Sequence, residues 1–399
     1  MRKNTVGLSK KRKISDKEVF AIVIVAAFII SLVVYFTNSY ITTERESVVY
    51  SKMAEPTLPV VFAVVRDDEG NTREINPMHG HYQDVKNQDV EYITPLPSSR
   101  KLEIHIKTYG RTIAGISYDI RNQKLDHYIE KTELENFDNS GDDIYATLPI
   151  QNLIDKNEKY ILRIRLDIGE EVVYYYSRIY WTDSTDLIKM IDLAKGFAGK
   201  TFDEEASREL TVYMETDPHA DNENYGTVTI GSSFNALTWG ETGMHMATAP
   251  EVYLKECEGA MAAFEVSYLT RISDNAGTEE FYNVEEFNLR SGAERIYMMD
   301  YRRKTYEIFD GSKHRFSGKK IMLGINNRED LLTMESANGR YIVYKTNRDL
   351  WCYDQDAKDA IDIFSFRSKI DDGLRASFRE HDIKILSVCV NGDVVFVFY

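Results

Sequence analysis

One stretch of the chain is continuously apolar. Residues 19–36 read VFAIVIVAAFIISLVVYF, eighteen residues with no charge and one hydroxyl, at Ser31. A helix of that length spans about 27 Å, close to the ~30 Å hydrocarbon core of a bilayer. The pattern therefore predicts one transmembrane helix at 19–36, between a tail at 1–18 and a larger folded part.

After a polar stalk at 37–57, the apolar positions take up a period of two. Leu102–Lys107 and Tyr160–Leu166 alternate apolar and polar residues, as strands with one buried face do. Clusters of Gly, Pro, Asn, Asp and Ser separate such runs. Seven or eight short strands in about 125 residues favour a β-sandwich over residues 58–182.

The segment Ile154–Tyr160, which reads IDKNEKY, precedes one of these alternating strands. It resembles the corner of immunoglobulin-like and fibronectin type III-like sandwiches, in which the tyrosine hydroxyl caps the backbone upstream. The Cys pair around a core Trp of such domains is absent, because residues 58–182 hold no cysteine. The resemblance covers about a dozen residues and implies a sandwich without indicating a ligand.

The period changes to that of a helix between residues 187 and 197. Ser184 or Thr185 is expected to cap the start of this helix, and Asp203–Glu205 to open a second one. Long strand-like runs follow. Residues 183–325 are therefore predicted to form an α+β domain, with helices on one face of an antiparallel sheet.

The last region, 326–399, repeats itself weakly. Asn338-Gly339 and Asn391-Gly392 stand fifty-three residues apart, each between apolar runs. Asn-Gly predicts equivalent type I′ turns in neighbouring hairpins, and four strands in ~50 residues match one propeller blade. One or two propeller-like β-hairpin repeats, an incomplete propeller, are predicted. The final apolar run to Tyr399 is expected either to lie within a sheet or to continue into a longer protein.

Charge predicts the orientation of the anchor. Seven Lys and Arg precede it against Asp16 and Glu18, a net of +5. Basic flanks of a first span stay in the cytoplasm, so residues 37–399 are expected outside. The alternative, a cleaved signal peptide, needs an A-x-A-like site, whereas Thr37–Ile41 follow here.

The net charge bears on possible partners. Because the whole chain carries a net charge of −15, the residues after the tail carry −20, which argues against nucleic acid or anionic lipid as partners.

Cysteine usage and the absence of glycosylation triplets indicate the type of organism. Cys257, Cys352 and Cys389 lack the spacing of a disulfide framework, so buried free thiols are predicted, with one disulfide as the alternative. No Asn-x-Ser/Thr triplet follows residue 36. These features favour a bacterial, Gram-positive cell surface.

Candidate metal ligands each have a structural explanation. His79 and His81, with Asp84 nearby, lack a further ligand at a zinc-like spacing, which favours an exposed loop. Two acidic sets do not match an EF-hand loop and are expected to be solvated turns. These sets are Asp217, Asp221 and Glu223, and Asp138, Asp142 and Asp143.

Two Gly-rich segments lack the full sequence motif of a catalytic or phosphate-binding loop. Gly231–Phe234 lacks a G-x-S-x-G elbow, and Gly240–Gly243 lacks a trailing Gly-Lys-Ser/Thr, so both are expected to be turns. Trp181, Trp239 and Trp351 are expected in the core rather than on carbohydrate platforms. No catalytic, cofactor-binding or metal-ligating residue, and no cofactor, is predicted.

The organisation favours a mainly β, single-pass membrane protein that binds, scaffolds or senses at the cell surface, with a protein or cell-wall ligand as partner. One alternative is an extracellular enzyme acting on wall polymer or peptide, with its site between the α+β domain and the repeats. Another is an accessory subunit that regulates a sensor kinase or transporter through the membrane helix.

Overall fold

The computed structural model describes most of the chain after residue 57 and a short segment before it. The described residues are 25–32, 58–84, 90–139, 141–151, 154–182, 186–220, 222, 225–273, 277–311, 315–317, 320–325, 331–346, 348–367, 378 and 381–399. They belong to two compact units, Met1–Val49 and Tyr50–Tyr399.

In the first unit the described residues, 25–32, form a helix, α1, with exposed side chains. Across the described ranges, no helix is both long enough and apolar enough to cross a membrane. The remaining residues of the predicted span 19–36, and the tail and stalk on either side, lie outside the described residues.

Antiparallel strands dominate the second unit, as the alternating sequence predicts. The first nine are β1 Val60–Arg66, β2 Thr72–His79, β3 Ile93–Leu96, β4 Lys101–Lys107, β5 Gly115–Arg121, β6 Tyr128–Glu133, β7 Asp143–Pro149, β8 Lys159–Ile168 and β9 Glu171–Trp181. They form a four-stranded sheet, β2-β1-β4-β7, and a five-stranded sheet, β3-β9-β8-β5-β6. Within these sheets, the β3–β9 pair is parallel.

These two sheets bury their apolar faces in one hydrophobic cluster. In β7 every second residue is buried, and Ile144, Ala146 and Leu148 join residues of β5, β8 and β9. The predicted corner lies at one end of this core. The Asp155 amide donates to the Tyr160 hydroxyl at 3.1 Å, the contact that the corner motif implies.

The next region combines short helices with a second large sheet. Its helices are α2 Leu187–Lys200, α3 Glu204–Ser207 and α4 Phe234–Leu237, with 3-10 turns at Arg208–Tyr213 and Gly240–Thr242. Its strands are β10 Thr227–Thr229, β11 His245–Met246, β12 Glu251–Glu258, β13 Met261–Ser273, β14 Thr278–Ser291 and β15 Ile296–Glu307. They form the order β10-β15-β14-β13-β11, and β12 also pairs with β13.

Both predicted helices are present. In α2, Ile191, Ala194 and Phe197 are buried against the sheet. Asp186 is its N-cap and makes no side-chain cap bond; the proposed caps Ser184 and Thr185 lie outside the described residues. The Asp203 carboxylate caps α3 by accepting from the Ala206 amide at 2.8 Å.

One hydrophobic cluster crosses the predicted boundary at residue 182. Ala63, Ile75, Ile93 and Tyr180 from the first two sheets pack in the same cluster as α2 and strands β12 to β15. Apolar side chains from both sides of the boundary are thus buried in the same hydrophobic core. Separate folding of 58–182 and 183–325 stays a prediction.

Asn76 joins the two parts by hydrogen bonds. Its amide nitrogen donates to the Ile93 carbonyl at 2.8 Å, and its oxygen accepts from the Leu254 amide at 2.7 Å. The β1–β2 register shifts between Val61 and Ala63, opposite Asn76-Pro77, because Pro77 has no amide to donate. At this bulge Asn76 has φ of 53°, which asparagine tolerates better than most residues.

Among the described residues after β15, the chain forms three small sheets. Their strands are β16 Phe316–Ser317, β17 Lys320–Ile321, β18 Leu332–Glu335, β19 Tyr341–Thr346, β20 Asp349–Asp354, β21 Asp359–Ser365, β22 Ile383–Val388 and β23 Val394–Phe398. Strands β18 to β21 form a meander, whereas β16–β17 and β22–β23 are two-stranded. No barrel or propeller closes among the described strands.

The two Asn-Gly turns are equivalent, but they are not type I′. The Gly339 amide donates to the Ser336 carbonyl at 2.8 Å, and the Gly392 amide donates to the Cys389 carbonyl at 3.1 Å. Each glycine has positive φ, and neither preceding asparagine does. The type I′ prediction is wrong because the loops are five residues long, and only the glycine after the turn needs the left-handed region.

The two hairpins pack through equivalent faces. Tyr341 and Val343, which follow the first turn, and their counterparts Val394 and Phe396 all pack in one cluster. The Asn338 amide nitrogen also reaches the Val390 carbonyl at 3.4 Å. The opposite face of β22–β23 exposes about half or more of four apolar side chains: Leu386, Val395, Val397 and Tyr399.

This packing differs from that of successive propeller blades. A ring forms when the front of each unit packs against the back of the next unit. When two units pack through equivalent faces, neither of these faces is left to bind a third unit. The repeat in the sequence therefore produces a pair of stacked hairpins in the described residues, and the predicted propeller is not found.

Replacing Tyr160 by Phe is expected to lower the free energy of unfolding by about 1–3 kcal/mol, because the Asp155 amide loses its acceptor. Urea unfolding of the purified chain measures the change. Tyr145→Phe, at a 62% exposed tyrosine, is the control and should change stability by less than about 0.5 kcal/mol. Equal midpoints for the two variants would contradict the corner.

Replacing Asn76 by Ala is expected to cost more, on the order of 4 kcal/mol. It leaves two buried backbone groups, at Ile93 and Leu254, without partners and puts alanine at positive φ. The same urea experiment measures it, with Asn71→Ala in an exposed turn as control. Similar losses for both variants would show that Asn76 does not hold the two parts together.

Candidate functional site

A cleft of about 600 Å³ opens on the six-stranded sheet. Its lining residues come from β11, β13 and β14 and from the segment that follows β15: His245, Arg271, Ser273, Thr278, Glu280, Ile308 and Asp310. His245 pairs with Arg271 across β11 and β13, and Arg271 pairs with Glu280 across β13 and β14. The Ile308 amide then donates to the Glu280 carbonyl at 2.8 Å, so one row across the sheet forms the floor of the cleft.

The charges in the cleft occur in pairs of opposite sign. Arg271 Nε donates to Glu280 Oε1 at 2.5 Å, with about a third of each side chain exposed. Arg315, which is almost buried, lies 3.5 Å from Asp310 and also pairs with Glu307. The cleft thus presents guanidinium and carboxylate groups side by side, a surface suited to a ligand that carries both an anionic and a cationic group.

Behind the cleft, Arg367 links the large sheet to the β18–β21 sheet. Its Nη1 lies 3.6 Å from Glu280 Oε2, and its Nη2 lies 3.8 Å from Asp349 Oδ2. The Ser365 hydroxyl donates to Asp349 at 2.6 Å. Burial, and then the Asp349 carboxylate, raise the pKa of the neighbouring Asp362 to about 7, while Arg367 opposes the shift.

The two histidines proposed from the sequence are not in an exposed loop. His79 ends β2, His81 exchanges backbone hydrogen bonds of 2.9 Å with Tyr174, and both are half-buried. Burial lowers the pKa of His81. Asp84 instead pairs with Arg163 and accepts from the Tyr176 hydroxyl at 2.9 Å. Within the described ranges, no three His, Cys, Asp or Glu side chains are placed to hold a metal ion.

The described members of the acidic sets are exposed, and Asp143 is the first residue of β7. Asp217 is exposed and accepts from the His219 amide at 2.8 Å, while Asp221 and Glu223 lie outside the described residues. Asp143 lies 2.9 Å from His105 Nε2 on the outer face of the first sheet. The described members of the two sets do not form a group of three that could hold a metal ion.

The remaining candidates are structural. Ser233 caps α4 through its hydroxyl, and Gly240–Thr242 is a 3-10 turn. Trp239 and Trp351 are buried as predicted, whereas Trp181 is half-buried with the Arg100 guanidinium 4.0 Å from its ring centre. All three cysteines are free thiols; Cys257 and Cys352 are buried, and Cys389 is exposed.

None of the cleft residues was singled out by motif. The usable signal was the turn sequence Asp274–Gly277, which separates two strand-like runs. A hairpin centred there pairs Ser273 with Thr278, and therefore Arg271 with Glu280. The approach of Arg367, almost ninety residues further on, has no such local signal.

No known protein-family model matches this chain. No curated protein matches it significantly.

Proposed function

We propose that this chain is a binding or scaffold protein of a bacterial, Gram-positive cell surface. The uncharged run at 19–36 holds it in the membrane, and the +5 flank keeps the tail in the cytoplasm, so that residues 37–399 lie outside. Residues 58–182 form an immunoglobulin-like or fibronectin type III-like sandwich. The two sheets around one core and the bond between Tyr160 and Asp155 support this finer assignment.

The observation that carries the binding proposal is the cleft. Concave sites with a few converging polar groups are the usual places for ligands, and this one brings Arg271 and Glu280, on neighbouring strands, together with Asp310, just after β15. Side-by-side charges of both signs fit a peptide, or a wall polymer that bears peptides, because such ligands carry both amino and carboxylate groups.

A second candidate function is an enzyme that acts on wall polymer or peptide at the same place. Glu280 and Asp310 both line the cleft, and two carboxylates are the groups that general acid–base hydrolysis uses. Against it, each of these carboxylates already has an arginine partner: Glu280 pairs with Arg271, and Asp310 lies 3.5 Å from Arg315. Binding is therefore the better supported function.

The proposed orientation predicts a protection pattern. Protease added to intact cells or protoplasts should digest residues 37–399 and spare a tag on Met1, because the basic tail stays inside. Immunoblotting for the tag measures this. A digested tag would reverse the orientation, and a mature terminus near Tyr40 would identify the segment as a signal peptide.

The proposed ligand class predicts retention on cell walls. The full chain, purified in detergent, should sediment with purified Gram-positive walls, and Arg271→Ala with Glu280→Ala should reduce the bound fraction by at least about tenfold, the equivalent of ~1.4 kcal/mol. The matched control is Arg66→Ala with Glu103→Ala, an exposed Arg–Glu pair of 2.6 Å on the first sheet.

Three outcomes separate the proposals. Loss of binding in the cleft variant alone supports the proposed function. Equal binding by both variants excludes the cleft as the wall site. Soluble wall fragments released by the wild type, and lost in Glu280→Gln, would favour the enzyme.

A further inference from the structure

A row of three buried side chains crosses the β18–β21 sheet. Tyr344 pairs with Trp351, and Trp351 pairs with Asp362, so the three side chains lie on one face. Their exposed fractions are 2%, 5% and 8%. Each keeps one polar atom without a hydrogen-bond partner: the Tyr344 hydroxyl, the Trp351 indole nitrogen and Asp362 Oδ1. Such groups are rare in folded proteins, so each calls for a physical reason.

Asp362 is the member of this row that can change its charge. The charged or titratable groups that act on it from the packed elements are Asp349 on β20, Arg367 after β21 and Tyr344 on β19. Asp349 is fixed by the hydroxyl of Ser365, which also accepts from the Arg367 amide at 3.0 Å. Arg367 lies 3.8 Å from Asp349 and opposes the rise in the pKa of Asp362, so this guanidinium compensates part of the charge of both carboxylates.

Arg367 also reaches the cleft. Its two terminal nitrogens lie 3.8 Å from Asp349 and 3.6 Å from Glu280, and Glu280 in turn holds Arg271 at 2.5 Å. The distances to Arg367 are longer than those of a tight charged hydrogen bond, so the guanidinium lies between two carboxylates without being held firmly by either.

We propose that Asp362 is a charge switch, which acts through Arg367 on the Arg271–Glu280 pair of the cleft. The switch does not require the cleft to bind a wall polymer. It goes beyond the proposed function by assigning the cleft a regulated charge pattern.

Each state of Asp362 has a distinct arrangement of partners. When Asp362 is ionised, it and Asp349 together draw Arg367 towards the small sheet, and Glu280 pairs with Arg271 alone. When Asp362 is protonated, Asp349 alone attracts Arg367, and Glu280 is shared between Arg367 and Arg271. The Arg271 guanidinium is then held less firmly by Glu280, so the cleft gains affinity for anionic groups below neutral pH.

The same switch affects stability in a defined pH window. Burial raises the pKa of Asp362 from 3.8 to about 7, so the folded chain keeps a proton that the unfolded chain loses. The contribution of Asp362 to stability is therefore full below about pH 4 and falls as the pH rises to about 7. Asp362→Asn should remove this part of the pH dependence.

The local titration is tested with the full chain labelled with 5-fluorotryptophan in detergent. The ¹⁹F resonance of Trp351, assigned with Trp351→Phe, should shift with a midpoint near pH 7, because Trp351 is the cross-strand neighbour of Asp362. The shift should vanish in Asp362→Asn, and its midpoint should fall in Asp349→Asn. Asp356→Asn, an exposed charge on the loop between β20 and β21, is the control and should leave it unchanged.

The connection to the cleft needs a second probe. Ser273→Cys, in a Cys389→Ser and His245→Asn background, allows a trifluoromethyl label in the cleft, without the exposed thiol and without the histidine that lines the same cleft. The label should titrate with the same midpoint as Trp351. It should lose that titration in Arg367→Gln, while Trp351 still titrates.

Each contrary outcome overturns the proposal. If Trp351 titrates and the cleft label does not, Asp362 acts only locally. If neither probe titrates between pH 5 and 9, Asp362 is not a switch. If the label titrates equally with and without Arg367, the pathway through the guanidinium is wrong.

Discussion

The buried side chain of Asn76 is the constraint on which the arrangement of the two large β regions depends. An amide that bonds strand β3 on one side and β12 on the other fixes the separation and the register of both. A buried polar group without its hydrogen bond costs more free energy than the bond contributes when it is made. The positions of β3 and β12 around Asn76 are therefore closely restricted. Strand β12 is the neighbour of β13, and β13 carries Arg271. Asn76 is therefore connected through β12 to the sheet that carries the cleft.

The second constraint is the burial of charge. Arg303 is fully buried, donates to the carbonyls of Ala236 and Leu237 at 3.1 and 2.9 Å, and lies 4.1 Å from the centre of the Trp239 ring. Beside it, burial raises the pKa of Glu285, which accepts from the hydroxyls of two neighbouring tyrosines. Such groups add little net stability, but they disfavour alternative packings because any other partner leaves a charge uncompensated. In an acidic chain, arginines held this way position loops as well as strands.

The stacked hairpins show how a sequence repeat can fail to produce a repeated architecture. Both copies form the same turn, because the local residues that decide it are the same. Their packing depends on which face of each hairpin is the more apolar, and here Val343 and Phe396 both contribute to the shared cluster. The two hairpins therefore pack through their equivalent apolar faces, and the outer face of the second hairpin keeps the exposed side chains of β23. A one-residue change of register reverses the face that a strand presents, so this choice cannot be inferred from the repeat alone.

Local chemistry in the sequence determined much of this protein. Alternation with period two predicted the strands, the helical period predicted Leu187–Lys200, and the spacing of Ile154 and Tyr160 predicted a corner bond. Each of these features is determined by residues a few positions apart, so the interactions that form it can be read from the sequence. The apolar run at 19–36 is equally local, and its role in a membrane stays a prediction.

Only the tertiary structure decided which distant surfaces meet. The cluster that joins Ile75 to Phe197 crosses the predicted domain boundary, and the half-buried state of His81 depends on a strand that begins ninety residues later. The approach of Arg367 to Glu280 likewise requires two sheets to be placed against each other. Such contacts reflect a balance of burial, charge and chain entropy over the whole fold, and no local pattern of residues encodes that balance.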